Sequence, residues 1–232
     1  MKAAILRKPD AVPEYGEFAD PGVDEGYELV DLVAAGLHPI VRSLAAGRHY
    51  GSTGSWPLIP GVDGVVRTAN GELIYTGFVE PPYGTFAARM AVPKQMRITL
   101  PSGADPVKIA GGLNPGLSSW LPLQAHVAER GAIGTVLILG ATGIAGSLAV
   151  QHARLLGASV VVGVGRNPVA LRRVAEFGAT TVALTGEREA ESVRRPAPTP
   201  RCQPHSCEAG AFVFPVAAPA PPRLTRRIVV VP

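Results

Sequence analysis

The sequence has few cysteines, few aromatic residues and no long uninterrupted apolar run. Both cysteines, Cys202 and Cys207, follow residue 192, so residues 1–192 lack the thiols that a disulfide framework or a thiolate metal site requires. The longest apolar stretch, residues 135–150, is interrupted by glycines and is shorter than the ~20 residues that a membrane-spanning helix needs. The first apolar run, residues 3–6, is too short for a signal-peptide core. These absences predict a cytoplasmic globular protein with no membrane contact.

Basic charge is also scarce outside the C-terminal tail. The whole chain carries 22 Lys and Arg against 18 Asp and Glu, a formal charge of +4. Residues 1–192 hold 16 basic and 17 acidic side chains, whereas residues 193–232 hold six arginines and a single acid, Glu208. A nucleic-acid surface needs positive charge clustered on a folded body. We therefore expect no nucleic-acid partner.

Residues 193–232 differ from the rest in composition, since nine of the 23 prolines lie there. Pro, Ala and Arg dominate, and no periodicity is visible before residues 226–231. This composition predicts a tail that is disordered or translated out of frame from a GC-rich gene. The tail also holds three closely spaced potential metal ligands without a fourth, which is weak evidence for a zinc site: Cys202, His205 and Cys207.

Residues 1–125 carry short apolar runs separated by glycine and proline, a pattern typical of a β-rich domain. Asn70-Gly71, between two such runs, predicts a two-residue hairpin turn. Residues 126–192 follow a different period. They alternate strand, helix, strand, helix and strand, with Asn167 as the expected N-cap of the second helix and Pro168 after it. This βαβαβ order is half of a doubly wound dinucleotide-binding fold.

The turn after the first of these strands carries the clearest chemistry. Glycine occupies positions 143 and 146, and Ala141 stands where dinucleotide-binding turns have their first glycine. Glycines there let the backbone approach a pyrophosphate, and the helix that follows offers free N–H groups. The alternative is a glycine-rich turn that serves only helix–strand packing. The expected cofactor contacts in this turn are Ala141, Thr142, Gly143, Ile144, Ala145 and Gly146.

The end of the second strand indicates which dinucleotide binds. NAD-binding proteins place an acid about 20 residues beyond the last glycine, where it accepts from the ribose 2′-hydroxyl. Here the residues are Gly165, Arg166 and Asn167. An arginine pairs with a 2′-phosphate, which an acid would repel. The three residues therefore predict NADP(H) contacts, the alternative for Arg166 being a solvated loop side chain.

Taken together, these segments resemble the medium-chain dehydrogenase/reductase superfamily, in its zinc-independent quinone-oxidoreductase-like branch. The resemblance covers residues 1–190 and implies an α/β protein with a GroES-like β-rich domain (1–125), connecting helix included, and a partial Rossmann domain (126–192). The segments that carry it, besides the glycine turn, are 1–4, 35–39, 59–64, 83–87, 114–120, 157–158 and 177–179.

Zinc-dependent members of the family place metal ligands at positions that match His38, Val62 and Asn114. Valine cannot donate to a metal, so the resemblance implies a reductase without a metal. The resemblance also implies two candidate catalytic residues. His38 lies in the first active-site loop. Tyr50 lies near the place where relatives carry a cleft tyrosine, from which a phenol donates to an enolate or quinolate oxygen. The alternatives are a structural histidine and an ordinary loop tyrosine.

The activity implied by the resemblance is hydride transfer from NADPH to a small-molecule quinone, enone or similar carbonyl. A homo-oligomer is compatible with it. The chain departs from the family near residues 194–195, as expected of a truncated or frameshifted member, and the nicotinamide half of the fold is then missing. The alternative function is a non-catalytic NADP-binding remnant or regulatory module.

Overall fold

The structure, a computed structural model, describes residues 1–77 and 79–184 and the backbone of residues 228–231. The chain divides into two units, Met1–Pro115 and Gly116–Pro232. The division falls inside a helix, Pro106–Arg130, at a proline whose nitrogen cannot donate to the preceding turn. The domain boundary near residue 125 expected from the sequence stays a prediction. No helix among the described residues combines the length and apolar content needed to cross a lipid bilayer.

The first unit is β-rich, as predicted. Strands β1 and β2 form an antiparallel pair, and the other five form an antiparallel sheet in the order β6-β3-β4-β5-β7. A short helix, α1, follows β3, and the N-terminal part of α2 ends the unit. The bounds are β1 Lys2–Ile5, β2 Glu14–Glu17, β3 Tyr27–Ala35, α1 Pro39–Ala45, β4 Asp63–Arg67, β5 Leu73–Gly77, β6 Arg89–Pro93, β7 Arg97–Thr99 and α2 Pro106–Arg130.

Successive side chains of strand β4 point to opposite sides of the sheet, and both sides are covered by other residues. Val65 packs with Tyr75 and Ala110 on one face. Val66 packs on the other face within a cluster that includes Val30. Since both valines are fully buried, β4 is the centre of the first unit and fixes the position of the residue that begins it, Asp63.

The β4–β5 turn differs from the two-residue hairpin turn that the sequence predicted at Asn70-Gly71. The Thr68 N–H donates to the Glu72 carbonyl at 3.0 Å, so the loop has three residues, 69–71. Gly71 takes a positive φ of 85°, as three-residue loops require at this position. The Thr68 hydroxyl also accepts from the Glu72 N–H at 3.1 Å, which favours the longer loop.

The second unit confirms the predicted βαβαβ order, with parallel strands. A fourth strand, Ile228–Val231, pairs in parallel with the strand Thr135–Leu139. The sequence predicted an unstructured tail and a three-stranded sheet. These four residues instead add a fourth strand to the sheet. Their Ile-Val-Val-Val sequence has high strand propensity and pairs with an open sheet edge. The bounds are β8 Thr135–Leu139, α3 Ile144–Leu155, β9 Val160–Gly165, α4 Pro168–Glu176, β10 Thr180–Ala183 and β11 Ile228–Val231, and the sheet order is β10-β9-β8-β11.

The rest of the tail lies outside the described residues, and so do Cys202, His205 and Cys207. The core of the second unit is formed by alternate strand residues, such as Val136, Ile138 and Val161, and by the inner faces of the helices. Alanines of α3 are buried in this core, and their small size brings the helix close to the sheet. This packing fixes the turn between β8 and α3.

Helices α2 and α3 also share a buried polar contact. The Ser119 hydroxyl donates to the Gly116 carbonyl at 3.1 Å and lies 3.0 Å from Nδ1 of His152. Trp120 packs edge-on against the imidazole. Burial lowers the pKa of His152 below its ordinary value of 6.5.

We expect the second unit to lose stability as the pH falls below about 6.5. The unfolded chain takes up a proton at His152 before the folded chain does, so acid favours unfolding. Above that pH both states hold a neutral imidazole, and the contribution is constant. Urea unfolding between pH 8 and 5, followed by Trp120 fluorescence in a Trp56→Phe background, measures the effect. His152→Gln should flatten the profile, and an equally steep profile in this variant would contradict the assignment.

Candidate functional site

The glycine turn lies between β8 and α3. Gly140 takes a positive φ of 77° directly after the strand, and the Gly143 N–H donates back to its carbonyl at 3.0 Å. The Ala141 N–H donates to the Val164 carbonyl of β9 at 2.9 Å, and the Ala141 side chain is fully buried. The turn is therefore anchored to the sheet, and any contact of Ala141 with a ligand is limited to its backbone.

The two helix-side glycines have different roles. A Cβ on Gly146 would lie 2.3 Å from the Gly140 carbonyl oxygen and 2.7 Å from Cα of Ala141, so glycine is required there by packing. Among the described residues, a Cβ on Gly143 would meet only the Gly140 oxygen, at 3.6 Å, and its φ of −79° suits any residue. The packing of the chain therefore does not require glycine at 143, and its exposed surface leaves room for a close ligand.

The N-termini of α3 and α4 also differ. The first N–H groups of any helix have no acceptor within the helix. At α4, Oδ1 of Asn167 accepts from Val169 and Ala170 at 2.9 and 3.2 Å, which confirms the predicted N-cap. At α3, the N-cap Gly143 makes no side-chain cap hydrogen bond. The N-terminus of α3 is therefore the one suited to an anion.

Gly165 and Arg166 follow at the end of β9, the strand next to β8. A Cβ on Gly165 would lie 2.7 Å from Cγ2 of Thr142, so the glycine turn packs directly over the end of β9. Arg166 is exposed and has no hydrogen bond or ion pair among the described residues. Carboxyl ends of adjacent parallel strands form the usual ligand edge of such sheets.

The remaining predicted contacts divide by exposure. Ile144 is 67% exposed at the first position of α3, whereas Thr142 and Ala145 are half-buried. The side-chain oxygen of Asn167 caps α4. Its predicted contact with a cofactor would therefore use other atoms of the residue. Contacts between a cofactor and any of these residues stay predictions.

The first unit contains a buried polar cluster of His38, Asp63 and Tyr75. His38 is the N-cap residue of α1, Asp63 begins β4 and Tyr75 lies in β5. Nε2 of His38 lies 3.1 Å from Oδ1 of Asp63, and the Tyr75 hydroxyl donates to Oδ2 at 2.5 Å. Burial and the Asp63 carboxylate raise the pKa of Tyr75 well above its usual range, so the phenol remains a donor.

Nε2 of His38 and Oδ1 of Asp63 lie close together but are not aligned as a hydrogen bond. Both Nε2 and Oδ1 are buried and have no hydrogen-bond partner among the described residues. A buried polar group left unpaired costs about 1–3 kcal/mol. A Cβ on Gly36 would lie 2.2 Å from Nε2 and 2.8 Å from Oδ1, so glycine at this position makes room for the two atoms.

A cavity of about 270 Å³ lies in the same unit, and none of the described residues that line it is charged. Val62, which precedes Asp63, and Val41, whose N–H donates to the His38 carbonyl at 3.0 Å, both line it. Other lining residues are Leu44, Ile59, Pro82 and Tyr83. The cavity therefore suits an uncharged, mainly apolar molecule.

Tyr50 is 93% exposed, and its ring lies against His49 with the centroids 4.1 Å apart. It does not line the cavity, although Gly51 and Ser52 do. Its catalytic role stays a prediction. Within the described part of the chain, no three His, Cys, Asp or Glu side chains are grouped so as to share a metal ion.

Sequence reasoning missed Asp63 and Tyr75. Asp63 precedes Gly64, Val65 and Val66, and an acid at the start of an apolar strand was the available signal. Tyr75 gave no separate signal, because a tyrosine within a strand usually packs like any aromatic residue.

The known proteins that are similar to the chain include a curated fungal protein and two solved bacterial structures. The probable NADPH-dependent quinone reductase tdiC of Emericella nidulans is 32% identical over 193 residues, which are 70% of this chain and 54% of the relative. The quinone oxidoreductase of Thermus thermophilus, solved also with NADPH, has a TM-score of 0.67 and 28% identity over 79% of this chain and 59% of its own. The quinone oxidoreductase of Coxiella burnetii has a TM-score of 0.71 and 20% identity over 83% and 64%.

No family model matches the chain. The two solved structures confirm the fold class expected from the sequence, a GroES-like β-rich unit followed by a Rossmann-type unit. The chain spans about half the length of the curated relative that it matches.

Proposed function

We propose that the chain is a member of the medium-chain dehydrogenase/reductase superfamily and an NADPH-dependent reductase of quinones or similar conjugated carbonyls. The curated relative is named as a probable NADPH-dependent quinone reductase, and the Thermus enzyme was solved with NADPH. The observation that carries the proposal is the open turn at Gly143, at the uncapped N-terminus of α3.

The second unit supplies the cofactor contacts in this proposal. The first N–H groups of α3 hold the pyrophosphate, and Gly143 lets it approach the backbone. Arg166, exposed at the end of β9, pairs with the 2′-phosphate that distinguishes NADPH from NADH. The cofactor, when bound, supplies the hydride.

The first unit supplies the substrate pocket. The 270 Å³ cavity has a lining of aliphatic residues, prolines and a few hydroxyls among the described residues, which favours a neutral conjugated ring. Without charged residues in the lining, a charged substrate would lose its hydration with no partner in return. A neutral quinone therefore fits better than an acidic or phosphorylated carbonyl compound.

We expect Arg166→Ala to weaken NADPH binding about 10- to 100-fold, as one or two charge-assisted hydrogen bonds are lost. NADH, which has no 2′-phosphate, should bind both proteins equally. Isothermal titration of each protein with each cofactor measures the change. Arg172→Ala is the matched control, since Arg172 is an exposed arginine of α4. Equal loss in both variants, or none in either, would contradict the phosphate assignment.

The same titration tests the function itself. Absence of NADPH binding by the unaltered chain would contradict both the reductase and any cofactor-binding role. With binding shown, oxidation of NADPH by a panel of quinones and enones then decides whether the chain is catalytic.

The second candidate is a non-catalytic NADP-binding module. It needs only the glycine turn and Arg166, and it is favoured by the position of Tyr50, which is 93% exposed and does not line the cavity. NADPH binding without oxidation by any carbonyl acceptor would support this candidate. The cytoplasmic location and the homo-oligomer expected from the sequence stay predictions.

A further inference from the structure

A groove of about 310 Å³ lies on the first unit, lined by the β1–β2 loop and by helix α1. At its base, Leu6 and Val41 are only 2% and 3% exposed. At its edge, Val12 and Leu37 are 85% and 72% exposed. The groove is therefore apolar from base to edge, and a ligand with an apolar body would cover side chains that water now surrounds.

The groove also carries charge, which distinguishes it from the 270 Å³ cavity. Among the described residues that line it, the charged ones are Asp10, Arg42 and Arg48. Oδ1 of Asp10 accepts from Nη2 of Arg48 at 2.6 Å. The guanidinium of Arg42 has no hydrogen bond or ion pair to any described residue. Two arginines against one aspartate leave a net charge of +1 and one guanidinium available to an anion.

The ion pair joins the two walls of the groove. Asp10 has a φ of 57°, a left-handed conformation that glycine, asparagine and aspartate adopt more readily than other residues. Arg48 is fixed to α1, because its N–H donates to the Ser43 carbonyl at 3.0 Å. The β1–β2 loop is thus held to the end of the helix, and the groove is formed before any ligand binds.

Helix α1 lies between the groove and the cavity. Val41 and Ala45 line both spaces, whereas Arg42 lines only the groove and Leu44 only the cavity. The neutral quinone proposed for the cavity has no group that needs a guanidinium. The groove is therefore a second site with a different ligand chemistry, and it requires neither NADPH nor a quinone.

We propose that the groove binds a small carboxylate with an apolar body. The fork of the Arg42 guanidinium matches the two oxygens of a carboxylate, and the apolar body lies over Val12 and Leu37. A neutral ligand would leave the guanidinium without a partner, and a cation would be repelled by the net positive charge. The volume of about 310 Å³ is near the lower end of the range for small-ligand sites, so a short chain fits better than a long lipid chain.

The test uses the full chain without cofactor, with ¹³C-labelled methyl groups, titrated with octanoate and followed by NMR. The methyl signals of Val12 and Leu37 should shift, and those of Val107, which is 69% exposed but does not line the groove, should not. Octan-1-ol and octylamine are the neutral and cationic probes of equal length. Octanoate should bind about 10-fold more tightly than octan-1-ol. Equal affinity for these two probes, or no shift at Leu37 with octanoate, would overturn the proposal.

Arg42→Gln should weaken octanoate binding about 10-fold and leave octan-1-ol binding unchanged. Arg89→Gln is the matched control, because Arg89 is an exposed arginine of the same unit that faces Asp31 and does not line the groove. It removes the same charge and should change neither affinity. Equal weakening in the two variants, or none in Arg42→Gln, would overturn the role of Arg42.

Two further variants change the charge and the apolar surface separately, at exposed positions where the fold should not suffer. Asp10→Asn keeps a residue that tolerates the left-handed conformation and an oxygen that accepts from Arg48, but it removes the negative charge. Octanoate should then bind about 3-fold more tightly, with octan-1-ol unchanged. Leu37→Ser should weaken both probes by a similar factor, about 3-fold. Weaker octanoate binding in Asp10→Asn, or unchanged binding of both probes in Leu37→Ser, would contradict the proposed site.

Discussion

Gly146→Ala is expected to destabilise the second unit and to abolish NADPH binding. The added Cβ would lie 2.3 Å from the Gly140 oxygen and 2.7 Å from Cα of Ala141, and both are backbone atoms that cannot rotate aside. Such overpacking costs about 3 kcal/mol, and the better helix propensity of alanine returns at most about 1 kcal/mol. A net loss of about 2 kcal/mol follows, and the turn must move away from its position over β9.

The matched variant, Gly143→Ala, separates binding from stability. Its Cβ meets nothing closer than 3.6 Å, so unfolding should change by less than about 1 kcal/mol. The methyl group nevertheless occupies the space that the proposed pyrophosphate needs, so NADPH binding should weaken at least about 10-fold. Urea unfolding followed through Trp120, with Trp56→Phe as background, and calorimetric titration give the two quantities.

Each of the two glycine variants has an outcome that would contradict its prediction. Unchanged NADPH affinity in Gly143→Ala would mean that the turn only packs the helix against the sheet. Unchanged stability in Gly146→Ala would mean that the backbone at Gly140 and Ala141 adapts to the added methyl group.

The second unit was predictable because its signals are local. A continuous apolar strand, a glycine turn and the Asn167 cap each determine their own few residues. The pairing of Ile228–Val231 with β8 could not be predicted, because it joins segments about 90 residues apart. A short run of β-branched residues does not by itself specify which strand it pairs with.

The first unit was predictable only as a class. Glycine and proline punctuation indicated short strands, but not which strands pair. The loop predicted at Asn70-Gly71 was one residue too short, because the hydrogen bonds of Thr68 determine the loop length. The polar cluster depends on sheet register, since Tyr75 lies in β5 opposite Val65 of the strand that begins with Asp63. Only the register brings its hydroxyl to the carboxylate.

Asp63→Ala is expected to destabilise the first unit by about 3 kcal/mol. The change removes a hydrogen bond between a phenol and a carboxylate, worth about 1.5–3 kcal/mol, and leaves the Tyr75 hydroxyl buried without an acceptor. It also leaves Nε2 of His38 with no facing charge. Urea unfolding followed through Trp56, in a Trp120→Phe background, measures the loss in the first unit.

Asp31→Ala is the matched control, since Asp31 also lies in a strand and faces Arg89 at 3.2 Å, but with both side chains more than half exposed. Water screens that pair, so its loss should cost less than about 1 kcal/mol. Adding Tyr75→Phe to Asp63→Ala should recover part of the stability, because the unpaired hydroxyl is then removed. If Asp63→Ala cost no more than Asp31→Ala, the cluster would contribute nothing to stability through its burial. If the double variant recovered nothing, the loss would not arise from the unpaired phenol.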